Sequence, residues 1–201
     1  MFIQIIEGRC RDVDALHRQI ELWRQEIGPR AEGWLGGMYG VTDDNKFIGV
    51  VRFESQEAAA RSATRPEQRM WWTKTQRCFE GEVTIHDCGE SVMFLGTGAD
   101  DAGFVQVIQG RVTDPERFRR FMELPMDMLQ KARPEIVGGS IAMEPDGRFT
   151  ETIAFRSEDA AREGERKGMP AEIRPAWDAE MARMRDLTYM DLRHPWFASK
   201  A

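Results

Sequence analysis

Few side chains in this 201-residue sequence are placed to do chemistry. His86 lies in a strand-like run, Glu82 to Cys88, whose alternation sends Val83 and Ile85 to one side and Thr84 and His86 to the other. An imidazole titrates near neutral pH, so His86 on a cavity wall could take a proton from a bound molecule; a single strand histidine is equally a structural group. Trp72 lies upstream in a helical stretch, and its spacing of seven from Phe79 suits a core stripe. Gln4 and Gln106 are amides inside apolar runs. Each needs a polar partner, a water or a ligand, because an unpartnered buried amide costs free energy. Thr84 lies on the same side of its strand as His86.

Other chemistries lack their residues. The sequence has no H-E-x-x-H, G-x-S-x-G or Walker motif and no metal-ligand cluster, so hydrolase, kinase and zinc-enzyme readings have no support. Cys10, Cys78 and Cys88 are odd in number and lack C-x-x-C spacing, which argues against a disulfide framework and fits buried thiols. The glycine-rich stretch 96–103 lacks a following helix and reads as a linker, not a phosphate loop.

A net charge of −6 offers no basic stripe for a phosphate backbone, so nucleic acid is not an expected partner. With 41% hydrophobic and 31% charged residues, the expectation is an ordinary soluble chain with one large or two small cores. No apolar run spans a bilayer, and Met1 leads directly into a strand-like run without signal-peptide features, so a cytoplasmic location is expected.

The elements that must position these groups come from a duplication. FIQIIEGR at Phe2 to Arg9 returns as FVQVIQGR at Phe104 to Arg111, and the offset of 102 holds without a gap to about Ser62. Gly36-Gly37 recurs as Gly138-Gly139, Phe53 as Phe155, and Ala58-Ala59 as Ala160-Ala161. In each copy a strand leads to an amphipathic helix capped by Asp12 or Asp114, in the first copy expected to run to Ile27 before Gly28-Pro29 stops it. Pro125 is expected to kink the second of these helices. A hairpin follows, then a helix capped by Ser55 or Ser157 that breaks and resumes, then a last strand, Glu82 to Cys88 or Asp186 to Asp191. Each copy therefore reads β-α-β-β-α-β, an α+β ferredoxin-like unit. Apolar residues on both sheet faces suggest that two such units pack sheet to sheet.

The hairpin and helix start FIGVVRFESQEAAARSATRPEQ, Trp72 and the strand VTIHD resemble the antibiotic-biosynthesis-monooxygenase type of dimeric α/β barrel, with a more diverged second copy. The resemblance covers about residues 1–88 and 103–191. It implies an intramolecular barrel, a pseudo-dimer within one chain that could form further homo-oligomers. It also implies cofactor-independent monooxygenase chemistry on a small apolar or aromatic, even polycyclic, molecule. Haem-degrading members use a first-strand amide, a helical tryptophan and a histidine, for which Gln4, Trp72 or Trp71, and His86 would stand. No cofactor is otherwise expected, haem being the alternative, and no metal.

The reading is therefore residues 1–90 as a first repeat, 91–102 as a linker, 103–192 as a second repeat and 193–201 as a tail. His86 and Trp72 are the candidate catalytic residues. Gln4, Gln106, Tyr39, Trp34, Arg52 and Thr84 are the candidate ligand contacts, and the first copy carries the chemistry because Met190 stands where it has His86. The rival reading is a non-catalytic ligand-binding or structural barrel, favoured by the scarcity of titratable groups on the inferred cavity faces.

Overall fold

The structure is a computed structural model and describes residues 1–95, 101–122, 127–171 and 174–199. Pro125 and residues 96–100 of the expected linker lie outside the described residues. The first repeat runs β1 (Phe2–Cys10), α1 (Val13–Leu22), β2 (Trp34–Val41), β3 (Lys46–Phe53), α2 (Gln56–Thr64), α3 (Pro66–Thr75) and β4 (Phe79–Cys88). After β5 (Glu90–Phe94), the second runs β6 (Phe104–Val112), α4 (Pro115–Met122), α5 (Asp127–Ala132), β7 (Ile136–Met143), β8 (Arg148–Phe155), α6 (Glu158–Lys167), α7 (Arg174–Met181) and β9 (Met184–Leu192). The chain continues to β10 (Trp196–Ser199).

The expected caps form. Asp12 accepts a hydrogen bond from the Ala15 N–H at 2.8 Å and Asp114 from the Arg117 N–H at 3.0 Å. Ser55 and Ser157 accept from Ala58 and Ala160, each at 3.2 Å. These side chains satisfy amide donors that a helix start leaves unpaired. The first helix departs from expectation at its end, where α1 gives way at Trp23–Ile27 to a wider π-helical turn. The Trp23 ring then folds over Gly28, where a Cβ would come within 2.7 Å of it, so only glycine fits beneath the indole. Phe79 opens β4 instead of ending a helix, which removes the helical spacing assumed between it and Trp72.

Two compact units result, Met1–Glu90 with His194–Ala201, and Ser91–Arg193. The first contains the antiparallel sheet β10-β2-β3-β1-β4 and the second β5-β7-β8-β6-β9. Each is the expected β-α-β-β-α-β unit with a fifth strand added at the edge next to its second strand. Those added strands lie in segments read from sequence as linker and tail. β10 pairs Trp196 with Tyr39 and Ser199 with Gly36, covering an edge that would otherwise expose unpaired backbone groups. The His17 ring stacks on Trp196 at 4.5 Å and ties the added strand to α1.

Register decides which residues face the helices. In the first unit Phe2, Gln4 and Ile6 share a face with Tyr39, Phe47, Val51 and Phe53, and this face packs on Leu16, Ile20 and Trp23. In the second, Phe104, Ile108, Ile136, Ile141, Phe149 and Phe155 make the equivalent face against Phe118 and Met122. The opposite faces carry Ile3, Ile5, Ile48 and Val50, and Val105, Val107 and Ala142, all buried. Cys10, Cys78 and Cys88 are buried thiols, and burial pushes the first two above the usual thiol range. No helix among the described residues is long and apolar enough to cross a membrane.

Candidate functional site

The residues singled out from sequence do not converge. Gln4 stands opposite Val51 and Asp87 in its sheet, whereas His86 stands opposite Ile5 and Thr84 opposite Glu7. Directly paired strand residues share a face. Gln4 is thus on the helix side and His86 with Thr84 on the other, which corrects the expectation that all three enter one cavity. Gln106 is likewise on the helix side of its own unit, opposite Ile153. Each amide has a partner within its own unit: Gln4 Nε2 donates to Asp87 at 2.9 Å, and Gln106 Nε2 to Glu165 at 3.1 Å.

His86 Nε2 lies 3.2 Å from Thr84 Oγ1 and 3.5 Å from Glu7 Oε2. Arg52 faces the same side, with its guanidinium close over Gly36. Trp34 and Tyr39 are on the helix side and only 1% and 6% exposed, so they are core groups. Burial pushes the Tyr39 phenol above its ordinary pKa. Trp72 is half-buried on α3 with its ring tilted against Trp71, and Trp71, not Trp72, reaches the space above the sheet.

That space is nearly closed in the first unit. Trp23 meets Trp34 edge-on at 4.8 Å and Trp71 at 6.1 Å, and its indole N–H donates to Gln68. Trp71 Nε1 donates to the Gln19 carbonyl at 2.7 Å. About 60 Å³ is left beside Gln4, Tyr39 and Ser62, room for a few small molecules at most. The haem arrangement fails here. Gln4 and His86 stand on opposite sheet faces, and tryptophans already occupy the space above Gln4.

The second unit has an open counterpart between sheet and helices, about 260 Å³ in volume. Phe118 and Phe121 from α4, Trp177 and Met181 from α7, and Ile136 and Phe155 from the sheet give it an apolar wall. An enclosed 150 Å³ apolar cavity is known to hold benzene, so this volume encloses roughly two fused rings and leaves a third to its open side. Tyr189, 56% exposed on the edge strand β9, stands at the rim.

One carboxylate enters this apolar setting alone. Glu151 on β8 stands between Ile108 and Ile141 on its neighbouring strands. Among the described residues no hydrogen bond or ion pair reaches its side chain, and burial pushes its pKa up to about 7. The other charged groups around the cavity are matched. Glu180 pairs with Arg117, Arg133 with Glu135, and Glu165 with Arg162 and the Gln106 amide. A half-protonated carboxyl at neutral pH, facing an aromatic-lined space, can accept a proton from a bound molecule and return it.

Glu151 had a signal in the sequence. The helix-facing row of β8 reads Phe149, Glu151, Ile153, Phe155, and at the repeat offset the first copy reads Phe47, Gly49, Val51, Phe53. A charged side chain inserted into an apolar row is the anomaly that marks the site.

No protein-family model matches the chain, and no curated protein matches it significantly. Solved structures do. A presumed monooxygenase from Lactobacillus acidophilus NCFM superposes with a TM-score of 0.78 at 13% identity, over 100% of this chain and 96% of that one. Another from Fusobacterium nucleatum subsp. nucleatum gives 0.69 at 8%, covering 100% and 94%. An anthrone oxidase-like protein gives 0.59 at 11%, covering 98% and 93%.

The chain has the tandem ferredoxin-like fold of these proteins. At such identities the likeness is one of fold, and it agrees with the fold expected from the duplicated sequence. Within this tandem fold the two units have diverged in the same place: one fills the space between sheet and helices with indoles, and the other leaves it open around a carboxylate.

Proposed function

We propose that the second unit is the working half, and that it binds a small aromatic molecule in its cavity and oxidises it with dioxygen without a cofactor. The observation that carries this reading is the unpaired Glu151 carboxyl, raised to about 7, in a 260 Å³ aromatic-lined space. The likeness of the whole chain to presumed monooxygenases and to an anthrone oxidase-like protein supports it.

The chemistry asks little of the protein. Glu151 takes a proton from a C–H activated by conjugation to a ring carbonyl, leaving a carbanion delocalised onto that carbonyl beside the now neutral carboxyl. That carbanion gives its electron pair to dioxygen as the C–O bond forms, and the proton returns from Glu151 to complete a hydroperoxide. Loss of water across the C–H and O–O bonds then leaves a ketone, so one dioxygen is consumed and one water released for each CH2 converted. Gln106, with one N–H held by Glu165, keeps its second N–H and its carbonyl for orienting the substrate.

The test is oxygen consumption with anthrone as probe. The full chain should take up dioxygen and release anthraquinone, and Glu151→Gln should lower turnover by roughly a hundredfold or more, the scale of general-base loss. Binding without turnover would favour a ligand-carrying protein instead, a reading to which the single unpaired carboxylate also lends itself. Equal turnover in both proteins would remove Glu151 from the mechanism.

A further inference from the structure

The charges around the cavity point to the kind of molecule that it holds. Glu151 is flanked by Ile141 from β7 and Ile108 from β6, and Gln106 from β6 and Tyr189 from β9 line the cavity on the same sheet face. The helices contribute Phe118 and Phe121 from α4, Glu165 from α6, and Trp177 and Glu180 from α7. Among the described residues, the cations beside this space are engaged: Arg133 with Glu135, Arg117 with Glu180, and Arg162 with Glu158, Glu165 and Asp191. The uncompensated charge facing the ligand space is therefore negative, and it is set among aromatic faces.

We propose that the cavity selects two-ring aromatic molecules carrying a protonated nitrogen, seated with the ammonium against Glu151, and that it refuses aromatic carboxylates. The proposal rests on the reading of this cavity as the ligand site, but not on the oxidation. Two interactions favour the cation. A carboxylate away from bulk water gains more from an opposite charge than it would at the surface. The faces of Phe118, Phe121 and Trp177 carry negative quadrupole potential that also attracts an ammonium. An anionic ligand meets the reverse: repulsion from Glu151 and, among the described residues lining the cavity, a single guanidinium, Arg133, already paired with Glu135. Because Glu151 must be ionised to receive the cation, binding of an ammonium should displace the proton that burial keeps on it.

Three matched probes separate the outcomes by calorimetry on the full chain: 2-naphthylmethylammonium, 2-naphthol and 2-naphthoate. At pH 8 the ammonium should bind at least about tenfold more tightly than 2-naphthol, and 2-naphthoate at least about tenfold more weakly. An alkylammonium stays charged between pH 6 and 8, so any change in its affinity across that range reports the protein. Its binding should weaken several-fold from pH 8 to pH 6, while 2-naphthol binding stays flat. Glu151→Gln should abolish both the preference and the pH dependence, and retained 2-naphthol binding would show that the variant keeps its cavity. Equal affinities for the ammonium and 2-naphthol, or tighter binding of 2-naphthoate, would overturn the proposal and leave the aromatic cavity standing. No binding of any probe would remove the cavity reading, and the proposal with it.

Discussion

The Tyr39 ring lies over Gly49, its cross-strand partner, so closely that a Cβ on Gly49 would sit 3.0 Å from Tyr39 Cδ1. At the same positions the second unit has Ile141 opposite Glu151. A phenol ring over a bare backbone closes one space, and an aliphatic side chain beside a carboxylate leaves the other open. Tyr39 is held there by burial, as are the indoles of Trp23 and Trp34. Replacing Trp23 by alanine should therefore destabilise the first unit by about 3–5 kcal/mol, the range for large aromatic truncations in a core. Urea unfolding followed by circular dichroism would measure it. A loss under about 1 kcal/mol would mean that the indole cluster is not the packing element described.

Glu151 makes a second prediction, on stability. Its pKa moves from an ordinary 4.5 to about 7 on folding. The folded chain then binds more protons than the unfolded chain between these values, so this group's contribution to stability falls as pH rises from 4.5 to 7 and is flat above. Glu151→Gln removes the penalty, and should stabilise the ligand-free protein at pH 8 by about 3 kcal/mol while leaving it nearly unchanged at pH 4.5. Thermal unfolding at the two pH values would read this difference. A destabilisation at pH 8 would show that the carboxylate has a partner in the folded protein.

Local signals in the sequence were sufficient for the units and their caps, because Asp12, Ser55, Asp114 and Ser157 each act within three residues. Side-chain direction was less legible. Gln4 looked like an interior group of a cavity shared with His86, but direction on a strand depends on pairing, and β1 sets Gln4 against Asp87 and Ile5 against His86. β10 was missed because four residues directly after a proline carry almost no strand signal of their own; pairing with β2 and stacking of Trp196 on His17 make the strand. Glu151 escaped because comparison of the repeats favours positions that agree, and a site formed in one copy appears where they differ.

The added strand leads to a third prediction. Residues 1–98 contain the first repeat without β10, so the Gly36–Tyr39 edge of its sheet loses its partner strand. Exposed edges pair with other chains. This half expressed alone should form dimers or aggregates, as light scattering during size-exclusion chromatography would show. Supplying residues 194–199 on a flexible linker should reduce that tendency. A stable monomer of residues 1–98 would show that β10 is dispensable.

The last prediction sets His86 against Glu151. His86 looked like the natural base from sequence, being the titratable residue of the strand row that it shares with Thr84. The structure gives it Thr84 and Glu7 as neighbours, on the sheet face turned away from the helices, in the unit whose helix-side space is filled by indoles. Glu151 has the converse setting, an open apolar space and no partner among the described residues. If proton transfer takes place in the second-unit cavity, His86→Ala should leave anthrone turnover within about twofold of wild type, while Glu151→Gln lowers it by roughly a hundredfold. The pH dependence should agree: the activity of wild type should rise through a pKa near 7 as Glu151 loses its proton, and the same rise should persist in His86→Ala. The profile of the histidine variant shows which of the two groups the rise belongs to. A rise that disappears in His86→Ala, with turnover falling alongside it, would return the chemistry to the first unit and leave Glu151 as a ligand contact.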